Sequence, residues 1–339
     1  KNLLVYIESN DSILKLLPQS DKRRERIVKV NRNEVINRDF CDEIDFVICI
    51  GGDGTLIRAS SFFPRSCPPV VPFNSGSVGF LNPFSFEQYE NAINKVLEGN
   101  IPVLIRERLE CRIISSKNQS NISTSLAFNE IVIDRGSHPY ITNIDLFLND
   151  KYITKVQGDG LIISTPTGST AYAMAAGASM VHPNVDAIVI CPICPHSLSF
   201  RPIVVPQKVK LKLIISESSR NSAYISIDGH FIREVEPSAS IEIITSYNPV
   251  PCICAKDQIA DWFESLAHCL HWNMRVAQKP LSNSSEYEDE NEKSVSNGSE
   301  YEDANEKSES IKNEFENANE NPVLITKEYE CANEKPNLN

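Results

Sequence analysis

A carboxylate set among glycines is the first feature with chemical content. Gly51-Gly52-Asp53-Gly54-Thr55 follows the apolar run Phe46–Ile50 and precedes Leu56–Phe63, whose apolar residues at 56, 57, 59, 62 and 63 suit one helix face. A strand, a glycine-rich turn and a helix start make a phosphate cradle. Glycine lets the backbone come close, and the N–H groups of the turn and helix N-terminus face the anion. Asp53 is out of place in a plain cradle, because a carboxylate repels phosphate unless it holds a metal or a proton-donating substrate.

Three further stretches mix glycine, carboxylate, amide and hydroxyl groups: Phe128-Asn129-Glu130, Gly158-Asp159-Gly160 leading into Ser164–Tyr172, and Ile227-Asp228-Gly229-His230. Each has a structural reading of its own, a strand entry for the first and hairpin turns for the Asp-Gly pairs. Together they supply what a nucleotide phosphotransferase needs: a phosphate cradle, amide and carboxylate groups for a base edge and ribose hydroxyls, and a carboxylate to take a hydroxyl proton. The P-loop lysine motif and the protein-kinase signatures are absent.

The elements that position these groups fall into two blocks. In residues 1–100 the pattern predicts a strand at Leu3–Ile7, a short helix around Ser12–Leu17 and a strand at Ile44–Ile50. A strand at Pro68–Phe73 then ends in a second glycine turn, Asn74–Leu81, which includes Gly76 and Phe80. A helix over Phe86–Leu97 stops at Gly99. This is an open, Rossmann-like α/β pattern, in which ligands sit beyond the carboxyl ends of the strands, where both turns lie. Residues 101–255 carry short β-rich runs, among them Val103–Arg106, Glu110–Ser115, Glu130–Asp134 and Lys208–Ile215, and predict a mostly β domain of sandwich type. Thr165-Pro166-Thr167-Gly168 and Ser169–Ser179 interrupt that rhythm as a loop feeding a short helix, its N-terminus open to an anion or ribose. An amphipathic helix from Asp261, within residues 256–275, is expected to return and complete the first domain.

Charge and cysteine use narrow the class. The 339 residues carry 33 basic and 45 acidic side chains, a net of −12. Residues 280–339 hold 16 of the acidic and 5 of the basic groups, so the first 279 are close to neutral at −1, which argues against a nucleic-acid binder. That terminal segment repeats an acidic octet every 14 residues (Glu286–Lys293, Glu300–Lys307, Glu314–Asn321, Glu328–Lys335) and is expected to be disordered. Ten cysteines sit largely in apolar runs, which reads as reduced thiols of a cytoplasmic protein. No stretch has the length of a transmembrane helix, and no metal site is expected.

Gly51–Thr55, Asn74–Leu81, Asn129-Glu130 and the run from Gly158 to Tyr172 resemble ATP-dependent NAD kinase. Pro195–Pro202 and Asp261–Asn273 resemble its animal and fungal branch. The likeness covers about residues 1–275; GGDGT alone is shared with diacylglycerol and sphingosine kinases, whereas the Gly158–Tyr172 run is specific. The resemblance implies transfer of the ATP γ-phosphoryl to the 2′-hydroxyl of the adenosine ribose of NAD, giving NADP, with Mg²⁺ or another divalent cation on the ATP phosphates. Asp53 is implied as the base on that hydroxyl, or the group holding it in line, and Gly51, Gly52, Gly54 and Thr55 as the shapers of the phosphate site. Asn129, Glu130, Asp159 and Gly160 match NAD-contacting positions, with Asp159 at the nicotinamide end. Thr170, Ala171, Tyr172 and Ala175 would line the adenine and ribose pocket. Asn74, Gly76, Phe80, Thr167, Gly168, Asp228 and His230 complete the implied binding set, and a homo-oligomer, dimer or tetramer, is implied as well.

Lys1–Ile7 resembles the second strand of that family rather than its first. The expectation is therefore a first domain lacking its opening strand and helix, because the sequence is a fragment, because the gene model is short, or because another chain completes it. The competing readings are a lipid kinase built on the same turn and a nucleotide-binding remnant without activity.

Overall fold

The computed structural model describes residues 3–8, 18–31, 34–35, 41–76, 79–115, 122–217, 219, 221–273 and 323–327. The helix expected near Ser12–Leu17 lies outside them. Strands β1 (Leu3–Glu8) and β2 (Ile27–Val30) are parallel neighbours. They are followed by β3 (Phe46–Ile50), helix α1 (Asp53–Phe62), β4 (Val70–Asn74), β5 (Phe84–Ser85), α2 (Tyr89–Glu98) and β6 (Val103–Arg106). Strand β3 is apolar and buried along its length, as a central parallel strand requires. Helix α1 buries Leu56, Ala59 and Phe62 against the β3 and β4 side chains Val47, Cys49 and Val70. Helix α2 ends at the predicted Gly99, which takes the left-handed conformation (φ 77°) and donates its N–H to Val96 O.

Twelve strands follow: β7 (Leu109–Ile114), β8 (Ile122–Ala127), β9 (Glu130–Asp134), β10 (Thr142–Leu148), β11 (Lys151–Gly158), β12 (Gly160–Ser164), β13 (Ala187–Ile193), β14 (Ile203–Pro206), β15 (Leu211–Ile215), β16 (Ala223–Ile227), β17 (His230–Val235) and β18 (Ser240–Thr245). They form two six-stranded antiparallel sheets, ordered β11-β10-β15-β18-β7-β8 and β14-β13-β12-β9-β16-β17. Alternate residues of both sheets meet in one core, with Cys111, Ile144, Leu213 and Ile241 on one side and Ile131, Ile133, Leu161, Ile163 and Ile225 on the other. This is the predicted sandwich. Strands β9, β12 and β13 are buried on both faces, because the four-residue helix α3 (Tyr172–Ala175) and the loop after it pack Ala173 and Ala178 on Val132, Ile162 and Val189.

Strand β19 (Val250–Ile253), α4 (Gln258–Leu270) and β20 (Val323–Lys327) finish the chain. The first sheet runs β2-β1-β20-β3-β4-β19-β6, with β5 against β4. Strands β6 and β19 also belong to the first sheet, and the sandwich spans 109–245. One expectation is corrected here: the acidic segment is not disordered throughout. Val323–Lys327 is a strand, antiparallel to both β1 (Val5↔Ile325) and β3 (Ile325↔Phe46), and it occupies the gap where an opening strand was expected to be missing.

Candidate functional site

Asp53 is the first residue of α1, and its carboxylate ties the two glycine turns together. Oδ2 accepts the Phe80 N–H and Oδ1 the Leu81 N–H, both at 2.9 Å. Residue 79 must be glycine, because a Cβ there would lie 2.2 Å from Asp53 Oδ1. Asn82, which sequence reasoning missed, donates to Gly51 O at 2.9 Å. Burial pushes the Asp53 carboxyl above its usual range, while the Leu81 and Phe80 N–H groups and the Arg106 charge pull it back. Asn74 serves the same turn differently from expectation: its amide donates to Asn82 O and Phe84 O (3.3 and 2.9 Å), so it fastens the turn. Gly76 lies on the exposed side of that turn.

The second cluster forms around Asn129 and Glu130 at the start of β9. Asp228 stands in a two-residue hairpin turn with positive φ (49°), followed by Gly229 at 78°. Its carboxylate accepts the N–H groups of Phe128, Asn129 and Glu130 at 2.8, 2.7 and 3.1 Å. The Asp228 carboxylate thereby holds the backbone of 128–130 in place. His230 lies exposed beside Asp228. The 165–168 loop closes the other side. Thr165 Oγ1 donates to Phe128 O at 2.8 Å and accepts the Gly168 N–H at 3.0 Å. A Cβ on Gly168 would fall 2.2 Å from Asn129 O.

This packing leaves Asn129 Oδ1 and Glu130 Oε2 buried without a partner. Burial and the neighbouring Asp228 push the Glu130 carboxyl up to about 7, against the Tyr172 N–H. Tyr172 is 45% exposed, and its hydroxyl feels Asp134 and Asp159. Asp159 is paired with Arg135 at 2.8 Å, a partner not anticipated from sequence. Gly160 is explained by packing alone, since a Cβ would sit 2.4 Å from Ile133 O. Thr170 Oγ1 donates to Thr167 O and the Ala171 N–H to Gly168 O, so these two shape the loop, while Ala175 lies exposed.

Two arginines one strand step apart join the clusters. Arg106, on β6, donates from Nη1 to Thr167 Oγ1 at 3.3 Å and acts electrostatically on Asp53, linking the first turn to the 165–168 loop. Arg108 donates to Asn248 O, Ser60 O and Phe63 O (2.6, 3.0 and 2.8 Å) and so holds the C-terminal end of α1. Helix α4 roofs the junction. Gln258 donates to Val103 O at 2.7 Å and accepts from Asn184 at 2.7 Å, and the His182 and Trp262 rings stand 5.0 Å apart. The helix expected to pack on the first domain therefore also grips the second. Beneath it lies a small pocket walled by Phe80, Leu81, Arg106, Asp261 and Trp262.

Family models place this geometry. The ATP-NAD kinase N-terminal domain matches residues 6–101 and the C-terminal domain residues 128–255. A yeast NADH kinase complexed with NADH superposes with a TM-score of 0.73 at 30% identity, covering 81% of this chain and 80% of that one. The chain belongs to the ATP-NAD kinase family. An NAD kinase from Archaeoglobus fulgidus in complex with ATP shares 25% identity at a TM-score of 0.59, over 78% of this chain and 98% of that one. NAD kinase 2, chloroplastic, of Arabidopsis thaliana is 46% identical over 248 residues, 72% of this chain and 25% of that protein. Over the first four curated relatives the chain spans only 25% to 48% of their length. Within the family frame, Asp53 belongs to the N-terminal domain, and Asn129, Glu130 and Tyr172 to the C-terminal one.

Proposed function

We propose that this chain is an ATP-dependent NAD kinase. The observation that carries the reading is Asp53, a half-buried carboxylate fixed by two backbone donors, with Arg106 between it and the 165–168 loop that packs on Asn129, where Asn129 Oδ1 and Glu130 Oε2 are unpartnered. The latter two are acceptors suited to ribose hydroxyls of the bound dinucleotide, and the Tyr172 ring offers a flat, partly exposed face for stacking. The 2′-hydroxyl oxygen forms a bond to the γ-phosphorus while the bond to the bridging oxygen breaks and ADP leaves. The hydroxyl proton passes to Asp53, which burial has made the stronger base.

Among the described residues no group of three or more His, Cys, Asp or Glu side chains is placed to hold a metal. Both Asp53 oxygens already accept N–H groups. That donor set suits a divalent cation such as Mg²⁺ that enters on the ATP phosphates with few protein ligands. The nine cysteines described are free thiols, which suits a reducing compartment such as the cytoplasm, and no helix among the described residues is long and apolar enough to cross a membrane.

The test is the purified chain with ATP, Mg²⁺ and NAD, read as NADP formed. Asp53→Asn keeps the shape and one of the two acceptor oxygens while losing the base, so kcat is expected to fall roughly 10²–10⁴-fold with NAD affinity within about twofold. A wild-type rate in that variant removes Asp53 from the base role. Phosphorylation of diacylglycerol or a sphingoid base without NADP overturns the assignment in favour of a lipid kinase, and NAD binding without turnover marks a binding remnant.

A further inference from the structure

The pocket under α4 is lined by a guanidinium, that of Arg106, with which no carboxylate among the described residues pairs. Arg106 is only 7% exposed, and its Nε–H has no partner. Its Nη1 contact with Thr167 is long at 3.3 Å, the Cys252 thiol is a weak hydrogen-bond partner, and the Cys254 thiol and Asp53 act on it through space. The other charged group on the wall, Asp261, is turned to the Ala255 and Lys256 N–H groups (2.7 and 3.0 Å), so its charge is met by backbone dipoles rather than by Arg106. Arg108, 1% exposed, donates to three backbone carbonyls and fastens two elements, with its Nη2 also lacking a partner, but it does not line this pocket. A buried guanidinium left with an idle donor weakens the fold unless an anion arrives to pair with it.

We propose that Arg106 is the cationic wall of the phosphoryl-donor site, its idle Nε–H and adjoining Nη–H groups taking phosphate oxygens of ATP between Asp53 and Thr167. The planar fork of donors matches a phosphate edge, and the apolar walls given by Leu81 and Trp262 strengthen the attraction by keeping water out. The identity of the anion as ATP rests on the kinase reading; a polyphosphate site at Arg106 does not. The same charge that receives the phosphates stands near Asp53, so donor and base are brought together by one side chain.

The experiment compares the full chain with Arg106→Met and Arg106→Lys, titrating ATP, inorganic tripolyphosphate and NAD by calorimetry alongside melting curves and NADP formation. Arg106→Met is expected to weaken ATP and tripolyphosphate at least about tenfold while NAD stays within about twofold. Its kcat/KM for ATP should fall roughly 10²–10³-fold, with Arg106→Lys recovering part of the polyphosphate affinity. The ligand-free melting temperature of Arg106→Met should match or exceed that of the unaltered protein, because the unpaired charge has gone. Unchanged ATP and tripolyphosphate affinity in Arg106→Met overturns the proposal, as does a lowered melting temperature with equal losses for NAD and ATP. Tripolyphosphate binding that depends on Arg106 without NADP formation sinks the kinase reading and leaves this site standing. NADP formation at the unaltered rate and ATP affinity in Arg106→Met does the reverse.

Discussion

At the scale of single residues the site separates acceptors that wait for a ligand from acceptors that hold the backbone. Asp53 and Asp228 are both half-buried aspartates whose oxygens accept N–H groups, but the first belongs to a glycine cradle beside a cation and the second accepts three amides of 128–130. Glu130 is the opposite case, with one oxygen unpartnered. Burial raises its folded pKa from the ordinary 4.5 to about 7, so the folded state keeps a proton that the unfolded chain releases. Its contribution to stability is complete below about pH 4.5, declines as pH rises and is lost above about pH 7. The span is on the order of 3 kcal/mol at most. Melting temperatures measured from pH 4.5 to 8 should therefore fall more steeply for the unaltered protein than for Glu130→Gln, and parallel curves would remove the buried carboxyl as the cause.

At the scale of elements, the catalytic turn depends on how the sheet beneath it is completed. Strand β3 delivers Gly51 and Asp53, and one of its two neighbours is β20, drawn from more than 270 residues further along the chain. Parallel strand β1 reaches β3 only through β20, by antiparallel pairing on both sides. Proline at the centre of a strand removes a ladder hydrogen bond and is tolerated only at edges. Ile325→Pro should thus expose the β1 and β3 amides to hydrogen exchange and lower the first melting transition by roughly 3 kcal/mol, with the sandwich amides unaffected. Unchanged protection of β1 and β3 would show that β20 does not support them. The sequence carried α1, α2 and the sandwich plainly, since apolar spacing and the Gly99 cap are local signals. The seat of β20 was illegible, because pairing between strands so distant in sequence leaves no periodic trace in either.

At the scale of the molecule, the sandwich keeps its core between two sheets but leaves apolar side chains at both margins of the second. Ile203 and Val204 on β14 and Phe231 and Ile232 on β17 are 41%, 54%, 64% and 37% exposed. We propose that the dimer or tetramer implied by the resemblance pairs through these two edge strands, whose β-branched and aromatic residues are exposed. Sedimentation velocity should find an oligomer, and Phe231→Asp should shift it toward monomer; a monomer throughout would overturn that reading. The sequence by itself determined the cradle at Gly51–Thr55, the acceptor pair Asn129-Glu130 and the Gly158–Tyr172 loop, because each is a contiguous stretch whose backbone chemistry is written in neighbouring residues. Only the tertiary structure decided that Asp228 positions the backbone, that Arg106 meets Thr167 across 61 positions, and that Val323–Lys327 closes the first sheet. Those outcomes depend on which buried donors and acceptors packing brings within reach of one another, and no local pattern records that.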